Sequence, residues 1–374
     1  MHIGLDGHLR PASRLGAVLA QQGHHVVALG PIAYREQLEA PGVEFQEHEP
    51  FRFPPSRLIA AQGPVEGVVG FSAALADATA LGVERLINWL FDQQVDLVVH
   101  DIHVPWARVA ADFLGLPRVV SNPLFPAPGR PSQPPASVDR ALARLKARRL
   151  EIGRRWGVDI GDWVATMLNR AQATISYTTQ TITGVPPLDG AWSYVGPLME
   201  RRSFAPSARD RPLVYVALGT FYNYRAEVFK AVLEALNDAP VDVLVSTGRG
   251  VSKVELEPLP ENVRVYEFVR SRSVLEQASV HVTHGGSGSV HESLLAGVPM
   301  VCIPQGADQY SWSERVQAVG AGELSDATAG AIRVSVDRAL SGEDMRCRAR
   351  EIGEELACYD GERRVAELIE RVLA

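Results

Sequence analysis

The stretch His284-Gly-Gly-Ser-Gly-Ser-Val-His-Glu292, followed by Gly297-Val-Pro-Met300 and Ala307-Asp-Gln309, gathers an imidazole, small residues and carboxylates in a short span of chain. It follows the strand-like Val280-His-Val-Thr283 and leads into a helix-like segment, Ser289 to Ala296. A strand that ends in Gly-rich backbone and opens a helix makes a site for phosphate. Glycines let backbone N–H groups approach the anion, and the helix N-terminus favours negative charge. Gly286, Ser287, Gly288 and Ser289 supply that backbone, and His284 at the strand end can donate a hydrogen bond to a diphosphate. Glu292, about two helical turns further on, is placed to accept hydrogen bonds from ribose hydroxyls. Asp308 and Gln309 add one acceptor-only and one mixed donor/acceptor side chain, a pairing that suits the adjacent hydroxyls of a sugar.

A second group of candidates lies near the start, in Gly7-His8-Leu-Arg-Pro11. A histidine at the end of a first strand, ahead of a helix from about Ala12 to Gln21, carries the imidazole that acts as general base at neutral pH. The competing reading of His8 is a helix cap. A base histidine needs an orienting group that also stabilises the imidazolium as it forms. Asp101, just after the strand Asp96-Leu-Val-Val-His100, is the candidate, with a helix N-cap ahead of Pro105 as its alternative. His100 is expected to point into the sheet, and His103 to line a pocket for a second substrate. Gly219 and Thr220 end the strand Pro212 to Leu218 and are placed to contact nucleotide or diphosphate. Thr220 serves equally well as an N-cap.

These groups need a scaffold that brings strand ends together. In the first half, the turn and strand Gln22–Leu29 and the strand-like Asp96–His100 and Pro117–Ser121 alternate with helix-like Ala12–Gln21 and Pro105–Gly115. In the second half, strands at Pro212–Leu218, Val241–Ser246, Val263–Tyr266 and Val280–Thr283 flank a helix at Ala226–Leu236. Such alternation predicts an α/β protein of two Rossmann-like, doubly wound parallel sheets. Two such domains facing across a cleft would present the carboxyl ends of their strands to a ligand. The boundary is expected at Gly196–Arg211, giving a domain at 1–200, a second at 212–342 and C-terminal helices at 343–374. Phe51–Val69 and the proline-rich Asn122–Pro135 read as long loops or lids that line a pocket.

The chain has 374 residues, 46% hydrophobic and 22% charged, which suits a soluble globular protein of two domains. A net charge of −7 with no long basic run argues against nucleic acid or an anionic membrane as partner. The basic cluster Arg144–Arg155 reads as a solvated helix face. The three cysteines, Cys302, Cys347 and Cys358, have the spacing of neither a zinc site nor a disulfide framework. With no signal segment and no membrane-length apolar run, a cytoplasmic location is expected, as monomer or homodimer.

The spaced set from His284 to Gln309 resembles the nucleotide-sugar signature of the UDP-glycosyltransferases, the family that includes macrolide and plant natural-product enzymes. That signature runs His-Gly-Gly, then Glu, Gly-Val-Pro-Met and Asp-Gln, and the chain matches each element. Gly7-His8-Leu-Arg-Pro11 is similar to the family's Gly-His-x-x-Pro, whose His removes the acceptor proton. Asp96-Leu-Val-Val-His-Asp101 resembles the stretch that supplies its Asp partner. Only Met1 to Gly7 precede His8, a shorter lead than the family's, so a short first strand is expected. Ala217-Leu-Gly-Thr220 stands for the family's Ser-Leu-Gly-Thr. Glu267-Phe-Val-Arg-Ser271 stands for aromatic-Val-Pro-Gln, which places Phe268 on the pyrimidine face and the Val269 backbone at its edge.

The resemblance implies the GT-B fold, with the last helix crossing back to the first domain. It implies an inverting glycosyltransferase with no cofactor and no metal, using a nucleotide-sugar as co-substrate and a small, apolar, hydroxylated acceptor. Glu292 favours UDP over dTDP, and Asp308-Gln309 favours a sugar that keeps its 3- and 4-hydroxyls, such as glucose. The alternatives are a dTDP-deoxysugar-dependent antibiotic glycosyltransferase, a UDP-sugar epimerase, or a non-catalytic nucleotide-sugar binder.

Overall fold

The computed structural model describes residues 1–2, 6–48, 63–126, 139–159, 171–187, 189–199, 210–220 and 223–374. In chain order the first elements are α1 (Asp6–Gln21), β1 (Val26–Gly30), α2 (Arg35–Leu38), β2 (Val43–Glu47), α3 (Gly63–Asp92) and β3 (Val98–Asp101). Next come α4 (Pro105–Leu114), β4 (Arg118–Asn122), α5 (Asp139–Trp156), β5 (Ala173–Ser176), α6 (Gln180–Thr183) and β6 (Trp192–Tyr194). The second half contains β7 (Leu213–Ala217), α7 (Ala226–Leu236), β8 (Asp242–Ser246), β9 (Val263–Tyr266), α8 (Ser271–Leu275), β10 (Val280–Thr283) and α9 (Ser287–Leu295). It ends with β11 (Met300–Cys302), α10 (Gln309–Ala318), β12 (Gly322–Leu324), α11 (Ala329–Ser341), α12 (Glu343–Ala357) and α13 (Gly361–Leu373). These form two compact units. Unit 1 is Met1–Thr179, Val185–Met199 and Asp360–Ala374, and unit 2 is Gln180–Gly184 and Glu200–Tyr359.

Unit 1 holds a parallel pair, β1-β2, and a parallel four-stranded sheet in the order β3-β4-β5-β6. The backbone of Met1 and His2 runs between them. The His2 N–H donates to Leu29 O at 2.9 Å, and Met1 O accepts from the Asp101 N–H at 3.1 Å. The first strand is therefore represented, among the described residues, by two residues of ladder. The helix that follows starts at Asp6 and not near Ala12, so Gly7, His8 and Pro11 are helical. Pro11 gives up one helical hydrogen bond, at a cost of about 3 kcal/mol. Burial of Leu9, Leu15, Val18 and Leu19 along α1 outweighs it, at about 1.5–3 kcal/mol for each side chain.

Similarly, α3 begins at Gly63, so only 51–62 of the expected Phe51–Val69 loop lies outside the described residues. A proline in a helix's first turn forfeits no hydrogen bond, so Gly63-Pro64 opens a helix instead of prolonging a loop. Of the second expected loop, 127–135 lies outside the described residues. Val365, Leu368, Ile369 and Val372 recur at helical spacing on α13. They pack with Leu15 and Leu19 of α1 and with Val119 and Ile175 of the sheet.

Unit 2 is a six-stranded parallel sheet in the order β12-β11-β10-β7-β8-β9. Alternate residues of its strands point to opposite faces. Val214, Val216, Val243, Val245, Val280 and Val282 meet Phe229, Val232 and Leu236 of α7 and Ile332 and Val336 of α11. On the other face, Tyr215 stacks on His281, with ring centroids 4.7 Å apart. There α12 approaches α9 closely: a Cβ added at Gly353 would lie 2.0 Å from Leu294 O. Gly353 thus sets how near α9 is held.

Register aligns Tyr266, Ser246, Ala217, Thr283, Cys302 and Leu324 in one row across the sheet. Whatever follows these residues emerges along one edge, the carboxyl ends of the strands. The three cysteines are free. No helix of the described residues is long and apolar enough to cross a membrane.

Candidate active site

In unit 2 the strand order reverses between β7 and β10, because β8 lies on one side of β7 and β10 on the other. Open α/β sheets bind ligands at such a switch point, beyond the strand ends. Gly219 leaves β7 there, and His284 leaves β10. The imidazole of His284 lies between two backbone segments: an added Cβ would come 2.7 Å from His284 Nε2 at Gly219 and 2.3 Å at Gly286. Gly219 also has φ +85°, in the region that favours glycine. Side chains at these two positions would evict the ring.

Burial pushes His284 down to about 4, against a smaller upward pull from a backbone hydrogen bond to Ala217. The ring is therefore neutral near pH 7 and carries no charge, and its single N–H is the one that the Ala217 backbone accepts. Beside it, Gly286 is the N-cap of α9. The N–H groups of Ser287, Gly288 and Ser289 open the helix, and the first amides of a helix have no intrahelical acceptor. Their exposure at a positive helix end suits an anion. Beneath them, His281 Nδ1 meets Ser293 Oγ at 2.7 Å, and that hydroxyl donates to Ser289 O at 2.8 Å. This pins the start of α9 to β10.

Glu292 is half-buried on α9, about one and a half turns beyond Gly286. Asp308 and Gln309 stand after β11, at the start of α10. Asp308 Oδ2 accepts from the Trp312 indole at 3.1 Å. Gln309 is buried, and its Oε1 accepts from the amides of Gln305 at 2.8 Å and Gly306 at 3.2 Å. The carbonyl of Gln309 thus holds its own loop, and its NH2 is the end that remains to donate. Thr220 is exposed and does not cap α7, whose N-cap is Arg225. Phe268 and Val269 follow β9. Phe268 is 54% exposed, with the Arg249 guanidinium carbon 5.7 Å from its ring centre.

Arg249 and Asn223 were not singled out in the sequence. The side chain of Asn223 is buried and donates to Thr247 O at 2.7 Å, holding the turn that carries Arg249. A Cβ at Gly250 would reach within 2.2 Å of Asn223 Oδ1, which explains the second glycine of Thr247-Gly-Arg-Gly250. A Gly-rich turn at a strand's carboxyl end was the available signal.

In unit 1, His8 stands in the first turn of α1 and Asp101 at the end of β3. His8 Nδ1 meets Asp101 Oδ2 at 2.7 Å, and both side chains are buried. The other carboxylate oxygen accepts the His103 N–H at 2.8 Å. Asp101 does not cap α4, because Val104 holds the N-cap position. Burial alone would raise the Asp101 carboxyl. The neighbouring charge and hydrogen bond of His8, with smaller contributions from His2 and His103, outweigh it and hold the group below the usual carboxylate range. Asp101 is therefore ionised at neutral pH.

The His103 ring stacks on His8, with centroids 5.1 Å apart and planes at 25°, and takes the edge of Phe71 at 5.0 Å. Burial, then the charge of His8, pushes His103 down to about 4. His100 is buried in the sheet, with Nδ1 3.0 Å from Asp101 O. With Nδ1 of His8 directed to a carboxylate, Nε2 is the nitrogen left to take a proton.

A family model described as the erythromycin biosynthesis protein CIII-like C-terminal domain matches residues 230–372. The chain is 24% identical over 384 residues to the uncharacterized UDP-glucosyltransferase YojK of Bacillus subtilis (strain 168), covering 97% of this chain and 94% of that one. It is 27% identical over 406 residues to demethyllactenocin mycarosyltransferase of Streptomyces fradiae, covering 98% and 84%. Among solved structures, it superposes on the glycotransferase of kitacinnamycin with a TM-score of 0.84 at 25% identity, over 100% of this chain and 97% of that one.

Proposed function

This chain belongs to the UDP-glycosyltransferase family and is a GT-B glycosyltransferase of the natural-product type, and from that premise we propose that it transfers glucose from UDP-glucose to a hydroxyl of an apolar acceptor. Unit 2 receives the donor and unit 1 the acceptor. Phe268 and the Val269 backbone take the pyrimidine, and Glu292 accepts from the ribose hydroxyls. Gly219 and Thr220, with the amides of Ser287 to Ser289 and the His284 N–H once it leaves Ala217, take the diphosphate. Asp308 and the NH2 of Gln309 read the sugar hydroxyls.

His8 Nε2 removes the acceptor proton as the oxygen attacks the anomeric carbon. The bond from that carbon to the phosphate oxygen breaks, UDP departs with the electron pair, and configuration inverts. The proton ends on His8, whose imidazolium faces the Asp101 carboxylate. The helix dipole, the opening amides of α9 and His284 meet the charge that develops on the leaving diphosphate.

What supports this reading most is the buried 2.7 Å hydrogen bond between His8 and Asp101. A carboxylate held ionised against a single imidazole nitrogen is the arrangement a general base requires. The test is a crossed screen of UDP- and dTDP-sugars against phenolic and macrolide acceptors, read by mass spectrometry. UDP-glucose with a phenolic acceptor is expected to give a glucoside, and His8→Ala to abolish it while UDP still binds. Undiminished transfer by His8→Ala refutes the base, and faster turnover of a dTDP-sugar refutes the donor.

A further inference from the structure

We propose that His8, Asp101 and His103 also form a binding site for Zn2+, and that occupation of this site stops transfer. One ligand atom from each of the three buried side chains lies within 4.8 Å of the others, and among the described residues they are the group with that property. His103 Nδ1 is buried without a hydrogen-bond partner. An orphan nitrogen of that kind is costly to bury and ready to bind. Two imidazoles and a carboxylate suit Zn2+ or Co2+ and not Mg2+, which prefers oxygen ligands and keeps its waters. The carboxylate gives the cluster the sign that a cation requires.

Zinc holds nitrogen at about 2.0–2.1 Å, so two ligands of a tetrahedral ion lie about 3.3 Å apart. The His8–Asp101 pair stands at 2.7 Å, and opening it by about 0.6 Å lets the metal take the place of the shared proton. The fourth position stays open to water or an acceptor oxygen. A His8 bound to metal cannot serve as base. The metal is a switch on the reaction and takes no part in it, and its effect on transfer rests on the proposed role of His8. Binding itself does not.

The test uses the full chain stripped with a chelator. Titration with Co2+ is expected to give the visible absorption of a tetrahedral site at one ion per chain, abolished by competing Zn2+. In the transfer assay Zn2+ is expected to lower the rate at least tenfold, and chelator to restore it. His103→Phe keeps a ring against His8 and removes both nitrogens. It is expected to lose the cobalt band and to need at least tenfold more Zn2+ for half-inhibition, each protein being compared with its own metal-free rate. His103→Leu is the second variant should the first fail to fold.

Absence of the band in the parent protein overturns the proposal. So does an equal band or equal inhibition in the variants, which would place the metal at surface pairs such as His24–Glu370 or His25–Glu44. Should no donor support transfer, the cobalt spectrum still decides the site.

Discussion

Asp101→Asn separates the charge and tautomer control of this side chain from its shape. Asparagine fits the same volume, and its Oδ1 can still accept the His103 N–H, now at 2.8 Å. Its NH2 would replace the oxygen that lies 2.7 Å from His8 Nδ1. A donor there requires a lone pair on Nδ1, which moves the imidazole proton to Nε2, the nitrogen proposed to receive the acceptor's proton. The substitution also removes a negative charge from beside the imidazolium. At an effective dielectric of about 20 and a charge separation of about 4 Å, that attraction is about 4 kcal/mol, equivalent to about 10³-fold in rate. The corresponding change in a Ser-His-Asp triad costs about 10⁴-fold. We therefore expect kcat to fall 10³- to 10⁴-fold. The KM for UDP-glucose and the Kd for UDP should stay within about twofold, because the residues proposed to bind the donor belong to unit 2. Initial-rate kinetics and calorimetry on the same preparation read both. A kcat within tenfold of the parent, or a loss confined to the donor KM, refutes this reasoning.

Gly286→Ala puts a Cβ 2.3 Å from His284 Nε2; UDP affinity should drop at least tenfold by calorimetry, and unchanged affinity would mean the ring is not needed. Phe268→Ala removes the face proposed for the base, where stacking contributes about 1–3 kcal/mol; a loss of UDP affinity below threefold would place the base elsewhere. Gly353→Ala forces α12 from Leu294 O, and overpacking of this kind costs about 1–3 kcal/mol; a melting temperature equal to the parent's contradicts it. Burial holds His100 and His281 near 3 and His103, His284 and His291 near 4. In the unfolded chain they titrate near about 6.5. Between those values the unfolded state binds more protons, so stability falls as pH drops from about 6.5 towards 3, with His103, His284 and His291 contributing down to about 4 and His100 and His281 down to about 3, and these groups add no further slope below that. A melting temperature flat from pH 7 to 5 would show that the imidazoles are not held neutral.

The alternation of apolar strands and helices was readable where a strand is a short continuous apolar run, as in β3, β4, β7 and β10, whereas β2, where polar residues interrupt the apolar ones, was not. The β10–α9 junction was readable because its chemistry is local: His284, the glycines and Glu292 are neighbours in the chain. The start of α1 was not, because Gly7 and Pro11 look like helix breakers. The burial that overrides them depends on residues of other elements. Strands of three residues such as β11 and β12 carry too little pattern to be seen. Arg249 over Phe268 and Asn223 against Thr247 join separate strand ends, and no local spacing encodes those meetings. The structural duty of Gln309, whose carbonyl takes two loop amides, was likewise hidden behind its suitability for a sugar.

A crystal structure of the protein with UDP bears most directly on the whole argument. The diphosphate oxygens are expected at hydrogen-bond distance, about 2.7–3.2 Å, from the amides of Ser287 to Ser289 and from the His284 ring, with the ribose hydroxyls at Glu292. A nucleotide bound anywhere other than the switch point between β7 and β10 would contradict it.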